Sequence, residues 1–150
     1  MKLMDKIKEI VRIKQEVKRG KGKYDSFVIR SPFDAQQLVT ELIGDEDREV
    51  FLVIVLSTKN MVNAIHRCHV GSINASIVHP REVFKSCILN NGASVIVAHN
   101  HPSNDPTPSS QDIEVTKRLR EAGSILGIEL LDHLVVGGSK MISLKEKGYI

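Results

Sequence analysis

VIVAHNHPSNDPTPSSQD, residues 95–112, is the stretch on which the reading of this chain turns. Val95 to Ala98 form an unbroken apolar run, the signature of a strand buried on both faces. His99 and His101 follow at its end. Side chains two apart on an extended chain point the same way, so both imidazoles address one point in space. A third ligand must then come from another element. Asp112, Val115, Leu119, Ala122 and Leu126 fall at steps of three and four, one face of a helix that opens at Ser109 to Asp112. Asp112 therefore lies on the stripe turned toward the protein, with Ser109 one turn nearer the loop. Two neutral imidazoles and one carboxylate leave a fourth position for water, the arrangement of a catalytic zinc site, and zinc is the expected metal.

An ordinary reading competes with this one. Ser109-x-x-Asp112 is also a capping box with Asp in place of Glu, and Pro and Ser before a helix are common start signals. A lone His-x-His at a strand end is weak. The conjunction favours the metal reading: two same-facing histidines, a serine eight residues on, and an acid three further on at the buried edge of its helix.

His99-x-His101, seven intervening residues, then Ser109-x-x-Asp112 resembles the JAMM metal motif of the JAB/MPN domain, and HNHPSNDPTPS at 99–109 looks like its bacterial RadC branch. VHPREVFKS at 78–86, TKRLREAG at 116–123 and GIELLDHLVVG at 127–137 are similar to RadC sequence too, so the resemblance covers about residues 25–150. It implies a mixed sheet flanked by helices with a cytidine-deaminase-like architecture. It also implies a zinc-dependent hydrolase fold related to the ubiquitin isopeptidases, a Glu general base, and a Ser that helps hold the tetrahedral intermediate. Asn104 departs from the family, which usually has Gly there. Asn accepts left-handed backbone better than other non-Gly residues, so the turn is expected to survive.

A hydrolytic site needs a base for its water, and two carboxylates compete for that role. Glu49 opens the second continuous apolar run, Val50 to Leu56, where an acid is poorly explained by solubility. If that run lies antiparallel to residues 94–101, Glu49 sits beside the histidine end. Glu82 is the rival, on the first turn of a helix where acids are favoured by the dipole. The family's Glu precedes a core strand upstream of His-x-His, which favours Glu49. The expected mechanism is then zinc on His99, His101 and Asp112, Glu49 as base and proton carrier to the leaving amine, and Ser109 as donor to the oxyanion. The motif points to amide hydrolysis as a class, a peptide or isopeptide substrate being the expectation, with the choice among peptides, isopeptides and small amides left open. Asp132 and His133 are adjacent on a strand and point to opposite faces, so they cannot share a metal; with His66 and His79 they read as structural or supporting.

With 150 residues and 41% hydrophobic content the chain suits one folded domain, residues 24–150, behind an N-terminal segment. No apolar run is long enough to span a bilayer and no leader opens the chain, so no membrane contact and a cytoplasmic location are expected. Cys68 and Cys87 are too few for a disulfide framework and read as reduced, buried small residues. Residues 1–23 hold nine Lys or Arg against Asp5, Glu9 and Glu16, which leaves the remainder negative within a total of +3. Leu3, Ile7, Ile10, Val11 and Val17 recur at helical intervals there, predicting a basic amphipathic helix to about Lys18 and a hinge at Gly20 to Lys23. Its expected role is to pack its apolar stripe on the domain, with weak nucleic-acid contact through residues 1–23 as the alternative.

The remaining pattern predicts a short strand at Tyr24 to Arg30, a helix from Ser31-Pro32 to Gly44, and a hairpin over residues 49–70. A short strand or edge segment is expected at Ser72 to Val78 and a helix at Pro80 to Asn90. A second hairpin joins Ile128 to Val136 with Lys140 to Ser143. Helices and hairpins intermingle, so the fold class is mixed α/β rather than doubly wound parallel. A rival functional reading is a DNA-repair-associated module binding nucleic acid or protein, in which the metal only braces the fold.

Overall fold

The two apolar runs become the central strands of a five-stranded mixed sheet. The computed structural model describes residues 3–20 and 26–150. In chain order the elements are α1 (Pro32–Ile43), β1 (Val50–Leu56), β2 (Val62–Val70), α2 (Pro80–Leu89), β3 (Ser94–Asn100), α3 (Ser110–Leu126), β4 (Glu129–Gly137) and β5 (Lys140–Ser143). The strand order across the sheet is β2-β1-β3-β4-β5. β1 runs antiparallel to both β2 and β3, β3 and β4 are parallel, and β5 returns antiparallel on β4. The parallel step is made by α3, the crossover that such a connection requires.

Every residue of β1 and β3 is buried, because helices cover both faces of the sheet. On one face Phe51, Val53, Val55, Val95 and Val97 pack with Val83, Phe84 and Cys87 of α2 and with Val115 and Leu119 of α3. On the other, Leu52, Ile54, Leu56, Ile96 and Ala98 pack with Leu38, Val39 and Ile43 of α1. Side chains alternate so strictly that each strand feeds two separate cores. α1 begins as its sequence predicts, with Ser31 Oγ accepting from Asp34 N–H at 3.3 Å and Pro32 in the first turn.

Four expectations fail locally. The helix expected up to Lys18 does not form: Leu3–Lys6 make a single 3-10 turn and residues 8–20 have no regular structure. Ile10 is 75% and Val11 90% exposed, so no burial offsets the cost of nucleating a helix. One reciprocal amide pair, Gln15 with Asn90 at 2.9 and 3.1 Å, ties this segment to the end of α2. Lys21 to Lys23 of the expected hinge lie outside the described residues. The strand expected at Tyr24 to Arg30 is reduced to one bridge, Val28 with Met61, and Tyr24 and Asp25 are outside the described residues. Ser72 to Val78 is a turn instead of a strand, since Asn74 Oδ1 takes the N–H groups of Ser76 and Ile77, each at 3.0 Å, and competes with any ladder. Leu126 also leaves the buried stripe of α3 and is 49% exposed, while Gly123 is buried.

Candidate metal centre

The β1–β3 register pairs Phe51 with His99, which places the histidine end of β3 beside the start of β1. His99 is fully buried on the α2/α3 face, its ring stacked on Phe51 with centroids 6.3 Å apart. His101 lies just past the strand. Its N–H donates to Val136 O at 2.8 Å, which keeps the chain alongside β4 for one more residue. Asp112, in the first turn of α3, is 2% exposed. His99 Nε2 is 3.2 Å from Asp112 Oδ1, His101 Nε2 is 3.2 Å from Asp112 Oδ2, and the two Nε2 atoms are 3.1 Å apart. One ligand atom from each of the three lies within 4.8 Å of the others. The sequence-predicted trio is thus brought together.

The protons of the surrounding network follow from groups that can only accept. The Asp112 carbonyl takes the Thr116 hydroxyl at 2.8 Å, so Thr116 Oγ1 must accept from His133 Nδ1–H at 2.6 Å. His133 is fully buried, and burial pushes its pKa well down, so its ring is neutral. With the proton on Nδ1, His133 Nε2 accepts from His99 Nδ1–H at 2.8 Å. On the other side, His101 Nδ1–H donates to Asp105 O at 2.8 Å. In neutral rings both Nε2 atoms therefore present lone pairs to each other and to the carboxylate. A positive charge is required between them, and the donor set of two imidazoles and a carboxylate fits a metal ion.

A ring proton is the other way to supply that positive charge, and the titration directions reflect the same demand. The hydrogen bond to Asp112 raises the His101 pKa against the opposing effect of burial, with smaller contributions from the Asp105 carbonyl and the Asp112 and Glu49 charges. Burial alone would raise the Asp112 carboxyl, but the hydrogen bonds from His101 and His99 hold it well below the usual carboxylate range.

Ser109 fulfils the ordinary reading as well. It is the N-cap of α3 in a full capping box: Ser109 Oγ accepts from Asp112 N–H at 3.0 Å and Ser109 N–H donates to Asp112 Oδ2 at 2.8 Å. Cap and ligand are one side chain, so the helix start orients the carboxylate. Accepting at the cap leaves the Ser109 hydroxyl its own proton to donate. The loop between is shaped for this: Asn104 takes φ 68°, the left-handed turn expected of it, and the loop packs on Gly137, where a Cβ would come 2.8 Å from Asn104 C.

Glu49 is half-buried immediately before β1, and extending the Phe51–His99 register sets it opposite His101. Its carbonyl accepts from Gly71 N–H at 2.8 Å and its Oε2 from Ile73 N–H at 3.2 Å. Glu82 instead faces solvent on α2, paired with Lys85 at 2.9 Å. His133 and Asp132 do take opposite faces. Asp132 bonds Ser143 Oγ at 2.6 Å, while His133 backs His99. Thr116 went unread in the sequence, although its position four residues after Asp112 puts it one turn along the same helix face. His66 bonds Ser86 and His79 caps α2, both structural. Both cysteines are free, and burial pushes the Cys87 thiol up to about 12, which removes it from chemistry.

Compared with known proteins, residues 29–149 match the RadC-like JAB domain. The chain is 59% identical over 131 residues to a UPF0758 protein of Geobacillus thermodenitrificans (strain NG80-2), covering 86% of this chain and 57% of that protein. It is 56% identical over 126 residues to UPF0758 protein YsxA of Bacillus subtilis (strain 168), covering 84% and 54%. To a UPF0758 protein of Caldanaerobacter subterraneus subsp. tengcongensis it is 48% identical over 148 residues, covering 95% and 64%. The chain spans less than two-thirds of the length of these curated relatives. Among the described residues no helix is long and apolar enough to cross a membrane.

Proposed function

This chain belongs to the family of RadC-like JAB domains, and from that premise we propose that it is a zinc-dependent hydrolase of amide bonds acting on a peptide or isopeptide. The observation that carries the reading is the convergence of three ligand groups, His99 Nε2, His101 Nε2 and the Asp112 carboxylate, within 4.8 Å. A zinc ion held there supplies a Lewis acid for the carbonyl and a water whose pKa is brought near 7. Glu49, opposite His101 in the register, takes the proton of the attacking water and passes it to the leaving amine. Ser109, at the mouth of the site, donates its hydroxyl proton to the developing oxyanion. His133 and Thr116 keep His99 in the tautomer that leaves Nε2 bare.

The test is zinc content by mass spectrometry together with cleavage of a peptide library by the zinc-loaded chain, with His99→Ala as the metal-free control. Cleavage that tracks zinc content supports the reading. Zinc bound without cleavage of any peptide or isopeptide sinks it.

A second reading has its own observation. Residues 5–20 are exposed throughout and carry a surplus of basic residues, which suits contact with nucleic-acid phosphates. Duplex DNA binding that weakens steeply between about 50 and 200 mM salt, and vanishes when residues 1–23 are removed, would favour a binding role.

A further inference from the structure

Asn100 stands between the two histidine ligands and turns to the opposite face of the sheet, where it is 2% exposed. Its Oδ1 accepts from Val50 N–H at 2.7 Å, and its Nδ2 donates to Arg48 O at 3.0 Å and to Glu46 O at 3.2 Å. Both amide protons and the amide oxygen are engaged. The Arg48 carbonyl and the Val50 N–H belong to the two peptide groups on either side of Glu49, so one side chain fixes the backbone on both flanks of that residue. On the β2 side a main-chain bond from Gly71 N–H holds the Glu49 carbonyl. On the β3 side the pairing begins at Phe51 with His99 and His101 N–H is turned to Val136, so there the Arg48 carbonyl and the Val50 N–H are held by the Asn100 side chain.

We infer that Asn100 is a positioning residue for Glu49, tying the backbone on both sides of that residue to the strand that carries the histidines, while Gly71 and Ile73 hold it from the β2 side. The inference rests on the proposed role of Glu49 as the base. The covalent path is short: Asn100 shares its backbone with His99 and His101, so any movement of the ligands carries the Glu49 peptide groups with it. Other side chains fail for identifiable reasons. Asp lacks the two donors and sets a charge against two carbonyls; Ala and Leu leave Val50 N–H buried without a partner; Gln is one methylene too long. Placement matters because displacing a reacting group by about 1 Å costs about 100-fold in rate.

The experiment uses the full chain loaded with zinc, the 13C resonance of the Glu49 carboxyl with and without the ion, and hydrolysis of the best-cut library peptide. Asn100→Ala is expected to keep its zinc, to lose at least half of the zinc-induced displacement of the Glu49 resonance, and to turn over about 100-fold more slowly at unchanged KM. Asn100→Asp, which keeps an acceptor for Val50 N–H, serves if the alanine variant does not fold, with the same expected direction. Leu38→Ala, a cavity in the core on the same face of the sheet, is the control for general destabilisation and should leave the resonance displacement as in the native chain. Native displacement and native turnover in either Asn100 variant overturns the inference, and so does loss of zinc together with the displacement. If the native chain cuts nothing, the hydrolase reading falls, and the Glu49 resonance alone decides the role of Asn100.

Discussion

His133 Nε2 lies 2.8 Å from His99 Nδ1, so a histidine of β4 sets the protonation pattern of a ligand on β3. Removing the acceptor frees His99 to rotate or to change tautomer. His133→Ala should therefore weaken zinc about 10-fold to 100-fold, measured by competition with a chromophoric chelator. Unchanged affinity would show that the ring orientation of His99 is set elsewhere.

Glu49→Gln should retain zinc and lose hydrolysis, whereas His99→Ala should lose both. Glu82→Gln, on an exposed residue paired with Lys85, should change neither by more than about twofold. Turnover persisting in Glu49→Gln but lost in Glu82→Gln would transfer the role of base to Glu82.

Ser109 carries two duties that different substitutions separate. Ser109→Ala removes the cap of α3, at about 0.5–2 kcal/mol of stability, while Ser109→Gly costs only a few tenths. Both remove the hydroxyl donor and should lower kcat about 100-fold to 1,000-fold. Urea unfolding and kinetics on the pair tell the duties apart. A kcat loss that follows stability, large for Ala and small for Gly, would reduce Ser109 to a cap.

The metal-free chain should show the His101–Asp112 pair in its pH dependence. Asp112 is depressed below its ordinary 3.8, so its contribution is full above about that pH and fades as pH falls through the folded value. His101 is raised above 6.5, so its contribution is full below about 6.5 and lost as pH rises through the folded value. Buried His133 works the other way and erodes stability as pH drops below 6.5. Subtracting His101→Gln from the native chain cancels that opposing effect. The difference, from urea unfolding at a series of pH values, should be largest between about pH 4 and 6.5 and shrink in alkali. Zinc affinity should run oppositely, falling about 10-fold per pH unit once His101 is protonated.

Gly137→Ala should disturb the site from behind. The added methyl meets Asn104 C at 2.8 Å and Asn104 O at 3.0 Å, so the loop carrying Asp105 must shift, and with it the acceptor of His101 Nδ1–H. A stability loss of about 1–3 kcal/mol is expected, with weaker zinc binding by calorimetry. Native affinity in a destabilised variant would mean that the loop moves without the ligand.

The ligand trio was legible in the sequence because each member follows a local period: two residues along β3, then steps of three and four along α3. The placement of Glu49 beside the histidine end of β3 was legible because an acid at the mouth of an apolar run is anomalous and an antiparallel register sets it there. Thr116, His133 and Asn100 were harder. Their roles depend on which strand lies beside β3 and in what register, and the β3–β4 pairing contains an irregularity between Val95 and Ile96 that no local pattern announces. The N-terminal helix shows the reverse failure. Its apolar spacing was sound, but periodicity becomes helix only where a surface receives the stripe, and Ile10 and Val11 meet none.

The capping box has a final consequence. Asp112 Oδ2 is tied to Ser109 N–H and Thr116 tethers the next turn to His133, contacts that need no cation to form. Chelation should thus strip the ion from a scaffold that does not collapse, and the apoprotein should refill on simple readdition, making occupancy a reversible setting governed by free metal in its surroundings.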